Sequence, residues 1–235
     1  MGGPNVIVLA GPNGAGKSTL APPLLRDALA VRHFVNADAI AAGLSAFAPE
    51  TVAVQAGRIM LARLKDLAAA RADFAFETTL ATRSFATWLR TLIAAGYEFH
   101  LVFLSLPSAE LAVARVAGRV SHGGHHVPEE VVRRRHAAGL RNLEELYRPL
   151  AASWRVYDNA RPAGRRFLRG GGDVGPAFRE VSLVDAAVDE AARGAARLHK
   201  SLGLPLAAWR DGRVVHIPAE TVDLADGARE VDPMG

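Results

Sequence analysis

Gly11-Pro12-Asn13-Gly14-Ala15-Gly16-Lys17-Ser18-Thr19 is the stretch on which the fold turns. A short apolar, β-branched run, Val6-Ile-Val-Leu-Ala10, stands before it and reads as a buried strand. After it, Ser18-Thr-Leu20 opens an apolar helical pattern. Gly11 to Ser18 fits G-x-x-x-x-G-K-[ST], and strand–loop–helix is the setting that this phosphate-binding motif requires. The glycines let backbone N–H groups point inward at a phosphate chain, and the following helix adds the positive end of its dipole. Lys17 is placed to reach the β- and γ-phosphates of ATP, and the Ser18 hydroxyl to hold Mg²⁺. The alternative is a Gly-rich turn with no ligand; the agreement of motif with context argues against it.

The 235 residues are half hydrophobic and 22% charged, enough for one large α/β domain with a modest appendage. There are no cysteines, which excludes disulfides and thiolate zinc sites. No basic segment followed by an apolar one precedes the first strand, so a secretory signal is not expected. No apolar run approaches the roughly 20 residues of a membrane span. The expected compartment is the cytoplasm, with no membrane partner. A formal net charge of +4 suits anionic ligands without requiring nucleic acid.

Working outward, Leu20 to about Val31 reads as the helix after the loop, and His33-Phe-Val-Asn-Ala-Asp38 as a strand with a polar tip. Ligands bind beyond the carboxyl ends of strands in open α/β sheets, which places Asn36 and Asp38 beside the phosphate loop. Pro49 begins a long helix with Val54, Ile59, Leu61, Leu64 and Leu67 among its apolar residues. Asp73-Phe-Ala-Phe-Glu77 is a further strand, again with a polar tip that runs to Thr79. Arg83 to Ala95 is helical, with Gly96 placed to end it. The fully apolar run from His100 to Leu106 is a strand covered on both faces. Strand and helix alternate, which argues a P-loop α/β fold with a doubly wound, mostly parallel sheet.

Arg115 and Arg119 lie one turn apart on the next helix, which runs into Gly123-Gly-His-His-Val-Pro128. The helix after it starts at Pro128, carries Arg133-Arg-Arg135 and continues to about Tyr147. Two arginine-bearing helices joined at Gly-Gly read as a mobile lid at about 115–135. Glu129 and Arg133, and Glu130 and Arg134, are also spaced for ordinary helix-surface pairing. Trp154 to Asp158 is a last core strand, closing a kinase core at 1–160. Residues 161–176 read as a loop or linker, Val184 to about Lys200 as an amphipathic helix presenting Val184, Val188, Ala191 and Leu198, and Trp209 to Ile217 as a hairpin turning at Asp211-Gly212. Together, 161–235 form an appendage packed on the core, loose after Asp223.

Phosphoryl transfer needs a phosphate cradle, a metal, a base for the acceptor hydroxyl, and cations for developing charge. Asp38 is the candidate base, though Asp also makes a good N-cap for a helix beginning near Ala39; the two roles are compatible. Glu77 stands where an acid that holds metal-bound water or a substrate hydroxyl is expected. Asn36, Thr79 and Arg83 are candidate acceptor contacts, and Arg119 and Arg134 candidate lid arginines for the β- and γ-phosphates. His122, His125 and His126 lack an acid or cysteine at ligand spacing and read as loop histidines.

Taken together, these segments resemble the zeta-toxin family of P-loop kinases. The resemblance rests on the phosphate loop, Val35-Asn-Ala-Asp-Ala-Ile40, Phe76-Glu-Thr-Thr79, Gly123-Gly-His-His-Val-Pro-Glu-Glu-Val-Val-Arg-Arg-Arg135 and Tyr157-Asp-Asn159, in order over roughly the first 160 residues. It implies a nucleoside-kinase-like domain with a helical lid. It also implies an ATP- and Mg²⁺-dependent kinase whose acceptor is a nucleotide sugar, UDP-N-acetylglucosamine phosphorylated on the 3′-hydroxyl. Carried over, Asp38 is the base, Lys17 the phosphate-loop lysine, Glu77 and Thr79 acceptor contacts, Arg119 and Arg134 lid arginines, and Asn159 a neighbour of the adenine. An antitoxin protein is the partner implied. Where the toxins carry an arginine shortly after Glu-x-Thr, this chain has Ala81 and then Arg83.

Two other classes compete. A transport-type ATPase lacks its Leu-Ser-Gly-Gly-Gln signature here, and a GTPase its Asn-Lys-x-Asp. A nucleic-acid-end kinase would use the Arg161–Arg169 arm, but Phe167 is its one aromatic residue, so nucleic acid is not the expected partner.

Overall fold

Six strands make the main sheet: β1 (Asn5–Ala10), β2 (Phe34–Val35), β3 (Phe74–Thr78), β4 (Glu98–Ser105), β5 (Ser153–Asp158) and β6 (Arg166–Gly172). The computed structural model describes residues 3–121, 126–161, 166–172 and 181–222. The order across the sheet is β2-β3-β1-β4-β5-β6. The first five strands are parallel and β6 runs antiparallel to β5. β1 is central, with Val6 opposite Phe74 on one side and Phe99 on the other. Helices cover both faces, so Val6 to Ala10 are all buried, which is why they form an unbroken apolar run.

The helix after the phosphate loop is split. α1 (Lys17–Ala21) passes into a π-helical segment, Pro22–Ala28. Successive prolines at 22 and 23 supply no N–H and crowd the preceding turn, so the hydrogen bonding slips to wider rings such as Leu29 N–H to Leu24 O at 3.0 Å. The second strand is shorter than the 33–38 expected. Asn36 ends it: its Oδ1 accepts from the N–H groups of Asp38 (2.7 Å) and Ala39 (3.1 Å) and so starts α2 (Ala37–Leu44). The N-cap is therefore Asn36, and Asp38 lies within the first turn.

α3 (Ala53–Ala69) follows a 3₁₀ turn at Pro49–Val52. Its buried stripe is Ala56, Met60, Leu64 and Leu67, whereas the expected Val54, Ile59 and Leu61 are exposed. Their positions fall on the neighbouring helix face at 100° per residue. α4 (Ser84–Ala94) ends at Gly96, whose φ of +85° supplies the left-handed turn anticipated there. α5 (Ala109–Val120) is capped by Ser108, whose hydroxyl oxygen accepts from Leu111 N–H. α6 (Glu129–Asn142) continues as a π turn, Leu143–Tyr147. The Gly-Gly hinge expected between α5 and α6, with His122 and His125, lies outside the described residues.

From His136 onward α6 is held to the strand ends. His136 Nε2–H donates to Leu106 O (3.0 Å), Asn142 Nδ2 to Leu80 O (2.7 Å), and Tyr147 OH to Thr82 O (2.6 Å). Between them Gly139 lies so close that a Cβ there would stand 2.5 Å from Thr79 O.

Part of the expected 161–176 linker is strand β6. The open edge of β5 takes it up, and its glycines are used: Gly171 lies against the Trp154 indole, where a Cβ would come within 3.0 Å of Nε1. Tyr157 and Phe167 pair across the two strands with ring centroids 5.8 Å apart. α7 (Val181–Ser201) buries Val184, Ala187, Val188, Ala191, Ala192 and Ala196. Leu198, expected on that stripe, is 57% exposed. The hairpin of β7 (Leu206–Arg210) and β8 (Arg213–Ile217) turns at Asp211 and Gly212, both at positive φ, as a two-residue primed turn demands. Arg115 Nε–H donates to Ala207 O and Trp209 N–H to Ala160 O, each at 3.0 Å, tying the hairpin to the core. Among the described residues no single helix is long and apolar enough to cross a membrane.

Candidate functional site

The phosphate loop lies at the carboxyl end of β1. Gly11 adopts φ +145°, and a Cβ on it would stand 2.3 Å from Leu104 O. Gly14, at φ +78°, abuts α5: a Cβ would come within 3.0 Å of Ala112 O and of the Arg115 Cβ. Backbone of this shape can be made by glycine alone. Lys17 is buried, and its ammonium donates to Gly11 O and Pro12 O at 2.9 Å. Burial pushes its pKa down from the ordinary lysine value, the Glu77 and Asp38 charges oppose that shift, and Arg119 adds to it. Asn13 is also buried, and its Oδ1 has no hydrogen-bond partner among the described residues.

Glu77, at the end of β3, collects the neighbours. Its Oε2 accepts from Asn36 Nδ2 at 2.8 Å and from Ser18 Oγ at 3.2 Å, and its Oε1 stands 3.7 Å from Lys17 Nζ. Asn36 thus uses one side chain twice: the oxygen starts α2 and the amide holds Glu77. Asp38, two residues on, lines the same cleft, and its carboxylate makes no hydrogen bond among the described residues. Asn159, after β5, donates to Ala15 O at 2.8 Å and so braces the loop from behind.

The cleft has a volume of about 920 Å³, the upper part of the range for small-molecule sites, roughly 300–1,000 Å³. Asn36, Asp38, Glu77, Thr79, Arg119 and Asn159 all line it beside Lys17 and Ser18. Of the expected acceptor and lid residues, two do not. Arg134 is exposed and absent from the walls, and the arginine of that run which lines the cleft is Arg135. A helix turns about 100° per residue, so one position decides which side chain faces inward. Arg133 faces away as well, paired with Glu110 (2.6 Å) and Glu129 (2.8 Å). Arg83 is exposed at the backbone start of α4 and is not part of the wall.

Sequence reasoning also passed over residues that do line the cleft. Arg58 of α3 lies on the Asp38 side, and its guanidinium has no partner among the described residues. Leu198, Leu202, Leu204 and Leu206, from the end of α7 into β7, form an apolar wall. In sequence Leu198 keeps step with the buried stripe, so its place on this wall gives no signal there. Arg115 is spent differently from its neighbour Arg119: burial pushes its guanidinium down to about 10, with Asp158 opposing, while its Nε–H holds Ala207 O. Among the described residues no three His, Cys, Asp or Glu side chains cluster to hold a metal by themselves. Mg²⁺ in a nucleotide site needs fewer, because substrate phosphates and waters complete its shell.

The chain belongs to the AAA domain family, whose model matches residues 6–146. An uncharacterized protein of Haemophilus influenzae is 30% identical over 130 residues, spanning 55% of this chain and 91% of that one. Among solved structures, that of the PezAT chromosomal toxin–antitoxin system of Streptococcus pneumoniae matches with TM-score 0.55 and 18% identity over 85% of this chain and 88% of that one. The AvrRxo1-ORF1:AvrRxo1-ORF2 complex with sulphate ions matches with TM-score 0.60 and 17% identity over 72% and 58%. The same pair with ATP matches with TM-score 0.58 and 16% identity over 83% and 77%. At these identities the likenesses show the fold: a P-loop NTPase with a mostly parallel sheet, of nucleoside-kinase type.

Proposed function

We propose that this member of the AAA domain family is an ATP-dependent small-molecule kinase that transfers the γ-phosphate to a hydroxyl of a nucleotide sugar such as UDP-N-acetylglucosamine. One observation carries the reading: of the two carboxylates beside the loop, Glu77 is committed and Asp38 is not. Glu77 is held by Asn36, Ser18 and Lys17. Asp38 keeps its lone pairs for an incoming hydroxyl. An alcohol kinase needs such a carboxylate to take the acceptor's proton; a panel of acceptors separates it from a hydrolase that would turn the same group on water.

The residues present fit the nucleotide and its ion. The positive φ of Gly11, Gly14 and Gly16 lets the loop's backbone N–H groups turn toward a phosphate chain, with the Lys17 ammonium beside them. Ser18 Oγ and Glu77 are the oxygens that would hold Mg²⁺, which when bound neutralises charge on the β- and γ-phosphates. Lys17 would exchange its bonds to Gly11 O and Pro12 O for phosphate oxygens. Asp38 takes the proton of the acceptor hydroxyl as its oxygen bonds to the γ-phosphorus, and the bond to the β–γ bridging oxygen breaks to release ADP. Arg119 and Arg135 supply cations for the charge that develops. Arg58, on the acceptor side, suits an anionic acceptor such as a nucleotide diphosphate better than a neutral sugar. The toxin resemblance extends the proposal to a cytoplasmic protein neutralised by an antitoxin partner, the kind of system to which the Streptococcus pneumoniae neighbour belongs.

The test is product formation from Mg·ATP and UDP-N-acetylglucosamine, read by mass spectrometry. Wild type should give a singly phosphorylated sugar nucleotide. Asp38→Asn should fold, bind Mg·ATP nearly as well, and lose roughly 10²–10⁴-fold in rate, the worth of a positioned base. If wild type releases phosphate and modifies no acceptor in a panel of nucleotide sugars, nucleosides and small alcohols, the kinase reading falls.

A further inference from the structure

The cleft has two ends, and the sheet order separates them. Asp38, Glu77 and Arg58 approach from the β2–β3 side of the phosphate loop. Asn159 and Arg161 approach from the β5 side, on the other side of β1. If the transferred phosphate faces Asp38, the rest of the donor must run the other way. The contacts mark that route. Gly14 abuts Arg115, and Arg115 holds Ala207 O of β7. Beyond Ala207 stand Leu206, Leu204, Leu202 and the last turn of α7.

What stands there is apolar and uncovered. Leu198 is 57% and Leu202 58% exposed, while Val184 and Val188 of the same helix are fully buried. Ala192 and Ala195 keep the wall low between them, and a Cβ on Gly118 of α5, which lines the same end, would meet nothing within 4 Å. A low apolar wall beside an open glycine face makes a slot for a flat ring. His199 sits on that wall. Its Nδ1 lies 3.2 Å from Pro205 O, and since a carbonyl only accepts, Nδ1 carries the proton and Nε2 is left as an acceptor.

We infer that this C-terminal wall, Ala195, Leu198 and His199 of α7 with Leu202, Leu204 and Leu206, is the surface that takes the nucleobase of the donor. It is continuous with the phosphate site, and an adenine covers the leucines while its exocyclic amine suits the His199 acceptor. The inference rests on the kinase reading only in the direction it gives the donor. The segment after β6 is then part of the nucleotide site, not an ornament on the core.

The experiment separates base from phosphate. Binding of Mg·ATP and of Mg·tripolyphosphate is measured by calorimetry on wild type and on Leu198→Ser/Leu202→Ser. Both positions are more than half exposed, so the variant should melt within a few degrees of wild type. ATP affinity should fall by about tenfold or more, the scale expected for losing two apolar contacts, with tripolyphosphate affinity unchanged. Unchanged ATP binding, or an equal loss for both ligands, overturns the assignment. In parallel, 8-azido-ATP photolabelling of the wild-type chain should mark peptides from 192–207; label on 39–61 instead would place the base at the acceptor end. A wild type that binds both ligands and labels the wall but phosphorylates nothing leaves this inference standing and removes the kinase reading. One that binds neither removes both.

Discussion

At one end of the cleft the Glu77 carboxylate is answered on every side: it accepts from Asn36 and Ser18, and Lys17 stands 3.7 Å away. At the other end Leu198 and Leu202 stand more than half exposed. Buried polar groups are costly unless paired, so the charged end has to be assembled before any ligand arrives. Apolar side chains can wait in water at a modest cost and be covered on binding. One end is thus preorganised by its own hydrogen bonds, and the other is shaped by what it lacks.

The contrast can be broken most directly at Lys17. Lys17→Ala should lose at least 10²–10³-fold in phosphate transfer, the usual worth of one preorganised charge, and weaken Mg·ATP and tripolyphosphate alike in calorimetry. Wild-type turnover in that variant would end the argument for the charged end. Next come neighbouring arginines. Arg135→Ala should slow transfer by roughly 10–10³-fold, whereas Arg134→Ala, exposed and off the wall, should leave single-turnover rates unchanged. Equal effects would mean that α6 presents a different face in solution.

A third measurement touches neither end. His100, on β4, is buried with Nδ1 2.8 Å from Ser153 Oγ and Nε2 3.1 Å from Asn5 Oδ1, Glu98 being 3.9 Å away. Burial lowers its pKa to about 4. A depressed folded-state pKa means that the unfolded chain binds the proton more readily, so stability present above the unfolded value of about 6.5 is lost as pH falls toward 4. The loss should reach about 2 kcal/mol between pH 7 and pH 5. Denaturant titrations of wild type and His100→Gln would show it: the wild-type slope should be the steeper. Parallel slopes would assign the acid lability elsewhere. The smallest effect is expected at Gly139→Ala. The clash with Thr79 O should cost about 1–2 kcal/mol, less than a free clash because alanine favours helix. Thermal melts that rise would show that the close approach is relieved.

Legibility followed the same division. The loop, Asn36, Asp38 and Glu77 could be read because each sits at a strand end within a short, spaced pattern, and local sequence sets local backbone. Even there the detail slipped: the cap is Asn36, because an asparagine side chain can accept from two N–H groups and still donate to Glu77. Arg135 was missed in favour of Arg134 because a helix phase must be known to one residue, and the buried stripe of α6, Val132, His136 and Gly139, contains a histidine and a glycine that hide its apolar face. Strand β6 reads as linker because three glycines in a row suggest a breaker, when here Gly171 accommodates an indole and Gly170 and Gly172 lie close against the β5 side. The apolar wall could not be read at all. Nothing near Leu198 or Leu202 in the chain says that Gly14 and Arg115 lie opposite; that is long-range packing.

The anchoring of α6 has a mechanical meaning. A beam fixed at His136, Gly139, Asn142 and Tyr147 cannot swing about its own far end. It is a buttress for the strand tips, and whatever travels when the nucleotide is enclosed lies upstream of the first fixing point. Arg135 is one residue from that point, so its guanidinium would reach the phosphates of a bound nucleotide by turning about its own side-chain bonds. Such rotations run on picosecond to nanosecond times, not the microseconds to milliseconds of a closing flap. Amide relaxation dispersion along 136–147 should accordingly be flat with and without Mg·ATP. On the proposed kinase reading the slow event in a turnover would then be sought in the departure of product, not in the arrival of that arginine.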